Sequence, residues 1–219
     1  MTKTPVYMMP GLAANPKIFE FLKLPKNYEV FWMKWINPKK NETIQNYTQR
    51  LIQEQIHHTL PILLGVSFGG IIIREIAEQI PVKKLILIST VKTHREFSPF
   101  FKKALQYKLY KFFPSRAMAY VDLMEKFAFT RRFKQKMKLY QKYMDVNEKH
   151  YLDWSIKTIL HWQQNDFPTT DFIHIHGTKD KVFPIKYIKE PVIKIENGRH
   201  DMIIFKSQWF NRNWDKLLS

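Results

Sequence analysis

The stretch Pro61-Ile62-Leu63-Leu64-Gly65-Val66-Ser67-Phe68-Gly69-Gly70 constrains the fold of this chain more than any other. The apolar run Ile62 to Leu64 predicts a buried strand. Ile71 to Ile80, with Arg74, Glu75 and Glu78 set among isoleucines, predicts a helix. Only Gly65-Val66-Ser67-Phe68-Gly69 and one further glycine separate the two. So tight a turn from strand to helix holds its central serine in a strained backbone conformation. Side chains two residues before and two after it would strike neighbouring backbone, which demands Gly65 and Gly69. The Ser67 hydroxyl then stands clear of the sheet, at the positive end of the helix. A plainer reading is a glycine-rich turn whose serine caps the helix.

A serine hydroxyl is a weak nucleophile. It needs a base, and the base needs a carboxylate to orient it. In a fold built on this turn the chain order is serine, acid, histidine. Phe172 to Gly177 predicts a strand, and Asp180 follows it. Val192 to Glu196 predicts another, followed by Asn197-Gly198-Arg199-His200. Ser67 is therefore the candidate nucleophile, His200 the base and Asp180 the orienting acid. Asp171 competes for the last role but precedes its strand, at the wrong end. His174 and His176 lie within or at the end of a strand, and His57 and His58 lie at a helix end.

With Gly-Val-Ser67-Phe-Gly, His-Gly-Thr-Lys-Asp180 and Gly-Arg-His200 in this order, the chain resembles the α/β-hydrolase superfamily. Met9-Pro10-Gly11-Leu12 matches the loop that supplies that family's oxyanion hole, and the resemblance covers nearly the whole chain. It implies a serine hydrolase that cleaves an ester or thioester through an acyl-enzyme, with no cofactor and no metal. It also implies an oxyanion hole built from the backbone N–H groups of Leu12 and Phe68, and a structural role for His176. Two departures stand out. The family often has His-Gly in the first loop, and Pro10-Gly11 lacks a hydrogen bond that sometimes braces it. The family often has Gly-His at the base, whereas Arg199 precedes His200 here. Arg199 is either a solvent-facing loop residue or a contact for an anionic part of the substrate.

Strands starting near residues 5, 28, 61, 84, 171 and 191 alternate with helices, one of them running from Asn41-Glu42-Thr43 to His57. This predicts a mostly parallel six-stranded sheet flanked by helices, in one domain over residues 1–219. The family core usually has eight strands, so the N-terminus is a trimmed version. The alternation stops between Ser89 and Asp171, where residues 95–164 read as four helices. The resemblance implies that the insertion, at about 91–165, is a helical cap over the site. Phe101, Met124 and Trp154 are expected to line its pocket. Met202 to Leu218 predicts one closing helix, with Phe205, Trp209, Trp214 and Leu217 as packing residues.

The absence of cysteine excludes a thiol nucleophile and disulfides. No stretch approaches the ~20 apolar residues of a membrane span. The N-terminus runs straight into a strand without a signal-like apolar segment, so a cytoplasmic protein is expected. The net charge of +17 points to anionic partners. The segment 91–165 alone holds sixteen Lys or Arg against six Asp or Glu. Its charge would steer an acidic substrate or attract an anionic surface such as a membrane. No basic recognition motif appears, so nucleic acid is not expected. The expected partner is a small ester-like molecule, and the sequence carries no signal for an oligomeric state. The competing readings are a hydrolase-like protein that only binds a ligand, and a basic protein that binds anionic surfaces.

Overall fold

A computed structural model describes residues 3–99, 101, 103, 107 and 138–218. Six strands form one sheet: β1 (Thr4–Met9), β2 (Tyr28–Trp32), β3 (Ile62–Val66), β4 (Lys84–Ile88), β5 (Phe172–Gly177) and β6 (Ile193–Ile195). Their order is β2-β1-β3-β4-β5-β6, and every pair is parallel. The sheet expected as mostly parallel is parallel throughout. Strands covered on both faces read as unbroken apolar runs, and β3 and β4 are buried at every residue. β2 is an edge strand, and its Trp32 is half exposed.

The period of two along each strand divides the core. Tyr7, Met9, Leu63 and Leu85 pack on one face, with Tyr47 and Leu51 of α1 (Ile44–Gln55) and the isoleucines of α2 (Phe68–Ala77). Val6, Met8, Leu64 and Ile86 pack on the other, against Phe210, Trp214 and Leu217. Register sets the carboxyl ends level, since Met9 lies opposite Gly65 and Gly65 opposite Leu87. The residues that leave these strands therefore emerge side by side along one edge. Ligand sites of open parallel sheets form in that crevice.

α1 begins where Thr43 Oγ1 accepts the Asn46 N–H, a side-chain N-cap. Of the four helices expected over 95–164, the described residues hold a helical turn at 138–143 and α3 (Lys149–His161). Met124 and most of the first three lie outside the described residues. The expected single closing helix is broken. α4 (Met202–Phe205) ends at Lys206, whose φ of −119° and ψ of 19° leave the helical region, and α5 (Ser207–Leu218) restarts at once. Phe205 closes the short first piece and is 49% exposed, more than a packing residue was expected to be. Among the described residues no helix is long and apolar enough to cross a membrane.

Past β4 the chain buries an ion pair that the sequence reading did not anticipate. Lys92 and Glu96 are fully buried, with Nζ 3.0 Å from Oε1. Lys92 Nζ also donates to His174 Nδ1 (2.9 Å) and to the Lys189 carbonyl (2.5 Å). Glu96 accepts the N–H groups of Lys92 (2.6 Å) and Lys189 (2.9 Å). Burial, with Lys92 alongside, holds the His174 imidazole well below its ordinary pKa, so the ring is neutral. Its Nε2–H donates to the Thr90 carbonyl at 3.1 Å. The cluster ties the exit of β4 to β5 and to the chain entering β6. Removing one member of a buried pair leaves an uncompensated charge, which typically costs about 3–5 kcal/mol. Glu96→Ala should therefore lower the urea unfolding midpoint markedly. An unchanged midpoint would show that Lys92 does not depend on Glu96.

Candidate active site

Ser67 joins β3 to α2 with φ 55° and ψ −122°, a left-handed conformation unusual for a residue other than glycine. Such backbone strain costs on the order of 1–3 kcal/mol and persists only where surroundings enforce it. Here they do. The Ser67 N–H donates to the Ile88 carbonyl of β4 (2.9 Å). The Ser67 carbonyl accepts Thr90 Oγ1–H (2.7 Å) and the Gly70 N–H (2.9 Å). A Cβ on Gly65 would lie 2.5 Å from the Gly69 carbonyl oxygen, and one on Gly69 only 2.3 Å from that of Pro10. Both glycines are sterically required. The Ser67 side chain makes no capping bond to α2. Instead Oγ lies 2.9 Å from His200 Nε2.

His200 follows β6 and Asp180 follows β5, as their places in the chain suggested. His200 Nδ1 lies 2.8 Å from Asp180 Oδ2. Asp180 is buried, and its other oxygen accepts the N–H groups of Val182 (2.8 Å) and Phe183 (3.0 Å), an Asx turn. Burial pushes this carboxyl up. The His200 hydrogen bond, the His200 charge and the Phe183 N–H outweigh it and hold the pKa below its ordinary value. An ionised carboxylate only accepts, so Nδ1 of His200 carries the proton and Nε2 is left to accept from Ser67. The structure thus brings Ser67, His200 and Asp180 into one hydrogen-bonded chain.

The rivals stand elsewhere. Asp171 pairs with Lys84 at the opposite end of β5 (3.2 Å). His58 bonds the Tyr7 hydroxyl (2.7 Å), and the His57 N–H donates to it (3.0 Å). His176 is fully buried behind the acid, its Nε2 2.7 Å from the Phe183 carbonyl and 3.5 Å from Asp180 Oδ2. Burial lowers its pKa.

The loop after β1 closes over Ser67. A Cβ on Gly11 would lie 3.4 Å from Ser67 Cβ, so the two backbones are in near contact. Phe68 opens α2, and the first N–H groups of a helix have no acceptor within it. On the Gly11–Leu12 peptide the carbonyl accepts the Ala14 N–H (3.0 Å) and the Trp35 Nε1–H (3.0 Å). Ala13 has φ 61°, and its N–H donates to Tyr151 Oη of α3 (3.3 Å). Trp35 and Tyr151 carried no signal of a site in the sequence. Trp35 lies three residues past the end of β2, and Tyr151 lies in α3.

The described residues line an open cavity of about 950 Å³ at Ser67 and His200. Ile18, Val66, Tyr143, Met144, Ile203 and Ile204 give it apolar walls, and Lys179, Lys181 and Arg199 are exposed at its rim. Trp154, expected there, lies instead in the core. Its ring packs on Tyr47 (4.3 Å) and its Nε1–H donates to the Glu42 carbonyl (2.8 Å). Phe101 is not in the lining either. It stacks on Phe97 (5.3 Å) and packs on Phe183 (5.5 Å).

Residues 4–206 match the family described as alpha/beta hydrolase fold. The chain belongs to the α/β-hydrolase fold family. No curated protein matches it. An enol-lactonase from Burkholderia xenovorans superposes with a TM-score of 0.72 at 14% identity, over 100% of this chain and 92% of that one. A thermophilic esterase from Thermogutta terrifontis gives 0.69 at 13%, over 98% and 89%. A bromoperoxidase from Bacillus anthracis gives 0.69 at 18%, over 99% and 92%. These likenesses show the shared fold, and α/β-hydrolase membership supports an enzyme of the hydrolase class.

The approach of Gly69 to β1 is the tightest test of this geometry. Overpacking typically costs ~1–3 kcal/mol, and here the obstacle is backbone, which yields less than a flexible side chain. Gly69→Ala should lower the thermal unfolding midpoint and displace the Pro10–Gly11 loop. A variant of wild-type stability would show that the two loops are not in contact.

Proposed function

We propose that the chain is a serine hydrolase that cleaves an ester or thioester through an acyl-enzyme. The observation that carries this is the unbroken Ser67–His200–Asp180 hydrogen-bonded chain at the open end of an apolar cavity. His200 Nε2 takes the Ser67 proton as Oγ attacks the substrate carbonyl carbon. Asp180 stabilises the imidazolium that forms. The negative oxygen is held by the N–H groups of Leu12 and Phe68, which act without reorganising. Collapse of the tetrahedral species expels the alcohol or thiol, which takes its proton from His200. Water, deprotonated in turn by His200, then attacks the acyl-enzyme, releases the acid and restores Ser67. A strained serine that bonds a histidine rather than capping its helix favours this reading over a protein that only binds a ligand.

The rim refines the substrate class. Lys179, Lys181 and Arg199 have no ion pair with another described residue, while Asp180 is engaged by His200 and Asp201 accepts the Tyr140 hydroxyl at 2.7 Å. Set against Asp180 and Asp201, whose carboxylates keep their charge when hydrogen-bonded, the three exposed cations leave the mouth positive by formal charge. This favours substrates with an apolar acyl part and an anionic group held near the entrance. The same reading assigns the insertion at about 91–165 to a cap, since its described end supplies Tyr140, Tyr143 and Met144 to the cavity.

A fluorophosphonate probe should label the wild-type protein and not Ser67→Ala. Ser67→Ala should lose p-nitrophenyl ester hydrolysis by several orders of magnitude, and Asp180→Asn by about 10⁴-fold, as loss of imidazole orientation does elsewhere. Ester turnover by Ser67→Ala close to wild type would sink the proposal. Steering by exposed charge weakens over a screening length of ~8 Å at physiological ionic strength. Across a sodium chloride series, kcat/KM for a carboxylate-bearing ester should fall, while that for a neutral ester of the same length stays level. Replacing Lys179, Lys181 and Arg199 together by Gln should flatten the first curve. Parallel curves in the wild type would remove the anionic preference.

A further inference from the structure

The proposed oxyanion hole depends on which way one peptide group faces, and that group has an unusual partner. The carbonyl of Gly11 and the N–H of Leu12 belong to the same trans peptide, so they point in opposite directions. Two donors hold the carbonyl: the Ala14 N–H at 3.0 Å and the Trp35 indole N–H at 3.0 Å. With the oxygen fixed on the Trp35 side, the Leu12 N–H is fixed on the other. Rotation of that peptide by half a turn would replace a donor with a carbonyl oxygen, which repels a developing oxyanion. Position 10 is proline, so the preceding side chain offers no donor to brace the loop.

Trp35 also reaches the other half of the hole. Its ring stacks on Phe68, with centroids 5.2 Å apart and planes 11° from parallel, and the Phe68 N–H is the second proposed donor. Tyr151 also packs on the indole, tilted, at 5.3 Å, and its hydroxyl accepts the Ala13 N–H. One indole thus holds the Gly11–Leu12 peptide by a hydrogen bond and the Phe68 ring by stacking. We infer that Trp35 is a positioning residue for the oxyanion hole, holding the Gly11–Leu12 peptide in its donating orientation. Tyr151 supports it from α3. The inference rests on the serine-hydrolase reading above. Trp35 touches no reacting atom. It acts through a peptide whose N–H meets the substrate oxygen only after Oγ has attacked.

The test separates this role from ordinary packing. Trp35→Phe keeps a ring to stack on Phe68 and deletes the indole donor. It should lower kcat for a p-nitrophenyl ester by roughly 10- to 100-fold, less than the ~10²- to 10³-fold that follows loss of an oxyanion donor outright. KM should stay within about twofold. Affinity for an alkyl boronic acid, whose adduct with Ser67 places a tetrahedral oxygen in the hole, should fall by the same factor as kcat. Residue packing alone would lower the unfolding midpoint without this parallel loss. Tyr151→Phe, which keeps the ring and deletes the hydroxyl that accepts from Ala13, should show a smaller loss of the same pattern and serves if Trp35→Phe does not fold. An active wild type with kcat and boronate affinity unchanged in whichever variant folds would overturn the inference alone. A wild type that neither hydrolyses esters nor takes a fluorophosphonate would overturn the reading of the site, and the inference with it.

Discussion

The site depends on one close backbone approach, that of the first turn of α2 to the carbonyl oxygens of Met9 and Pro10. There is no room between them for even a methyl group. Because residue 69 is glycine, the helix can drop against the exit of β1, and Gly11 then comes to rest against Ser67. The strained φ of Ser67 is part of the same arrangement. The Ile88 and Thr90 partners hold the serine backbone from one side while the β1 loop confines it from the other. A site of this kind needs a parallel sheet whose central strands end level, which the register of β1, β3 and β4 supplies.

Much of this was legible in the residues, for identifiable reasons. Buried parallel strands are short apolar runs with a strong local signature, and all six were found near their true starts. Ser67, Asp180 and His200 each follow such a strand directly, so the topology delivers them to one edge whatever the intervening chain does. What escaped was long-range and side-chain specific. Trp35 lies just past the end of an edge strand and is distinguished only by a bond to Gly11, twenty-four residues away in sequence. Tyr151 lies 138 residues from its partner Ala13. Trp154 was misplaced because aromatic content does not tell which face of a helix it occupies, and α3 turns that ring toward Tyr47. Phe205 was misplaced because nothing in Met202 to Leu218 marks the break at Lys206. Met202 and Ile203 share the buried cluster of α5, and Phe205 is left half exposed at the break.

The cations of this basic chain fall into different physical classes. Lys92 is buried, paired with Glu96 and depressed in pKa by its burial. Arg74 is buried too, and its guanidinium donates to the Lys92 carbonyl (2.9 Å) and the Asp166 carbonyl (2.5 Å) besides pairing with Glu78 (3.0 Å). The Lys92–Glu96 pair is buried on both sides, and a pair of that kind contributes little net stability compared with apolar residues of the same shape, whereas Glu78 is half exposed. Both cations cluster where β4 leaves the sheet, at the stretch that also carries Thr90 against the Ser67 carbonyl. The lysines and arginine of the cavity rim are the opposite case: exposed, without ion pairs to described residues, and screened by salt. Unlike Lys92 and Arg74, they face solvent.

The loop that carries Leu12 is fastened less to the sheet than to the chain that follows residue 138. Asn15 N–H donates to the Tyr143 carbonyl (2.8 Å) and Asn15 Nδ2 to the Lys142 carbonyl (2.9 Å). The Val146 N–H donates to the Ala13 carbonyl (3.1 Å), and the Ala13 N–H donates to Tyr151 Oη. Ala13 itself sits at positive φ, a conformation that an alanine keeps only under such restraint. Tyr143 and Met144, bracketed by these bonds, form part of the apolar wall of the cavity. The wall and the loop are therefore one hydrogen-bonded unit built from segments about 130 residues apart in sequence. Two of the bonds are backbone to backbone and two use the side chains of Asn15 and Tyr151. Residues 138–152 consequently have two structural duties at once, shaping the space that receives a ligand and holding the turn that faces Ser67.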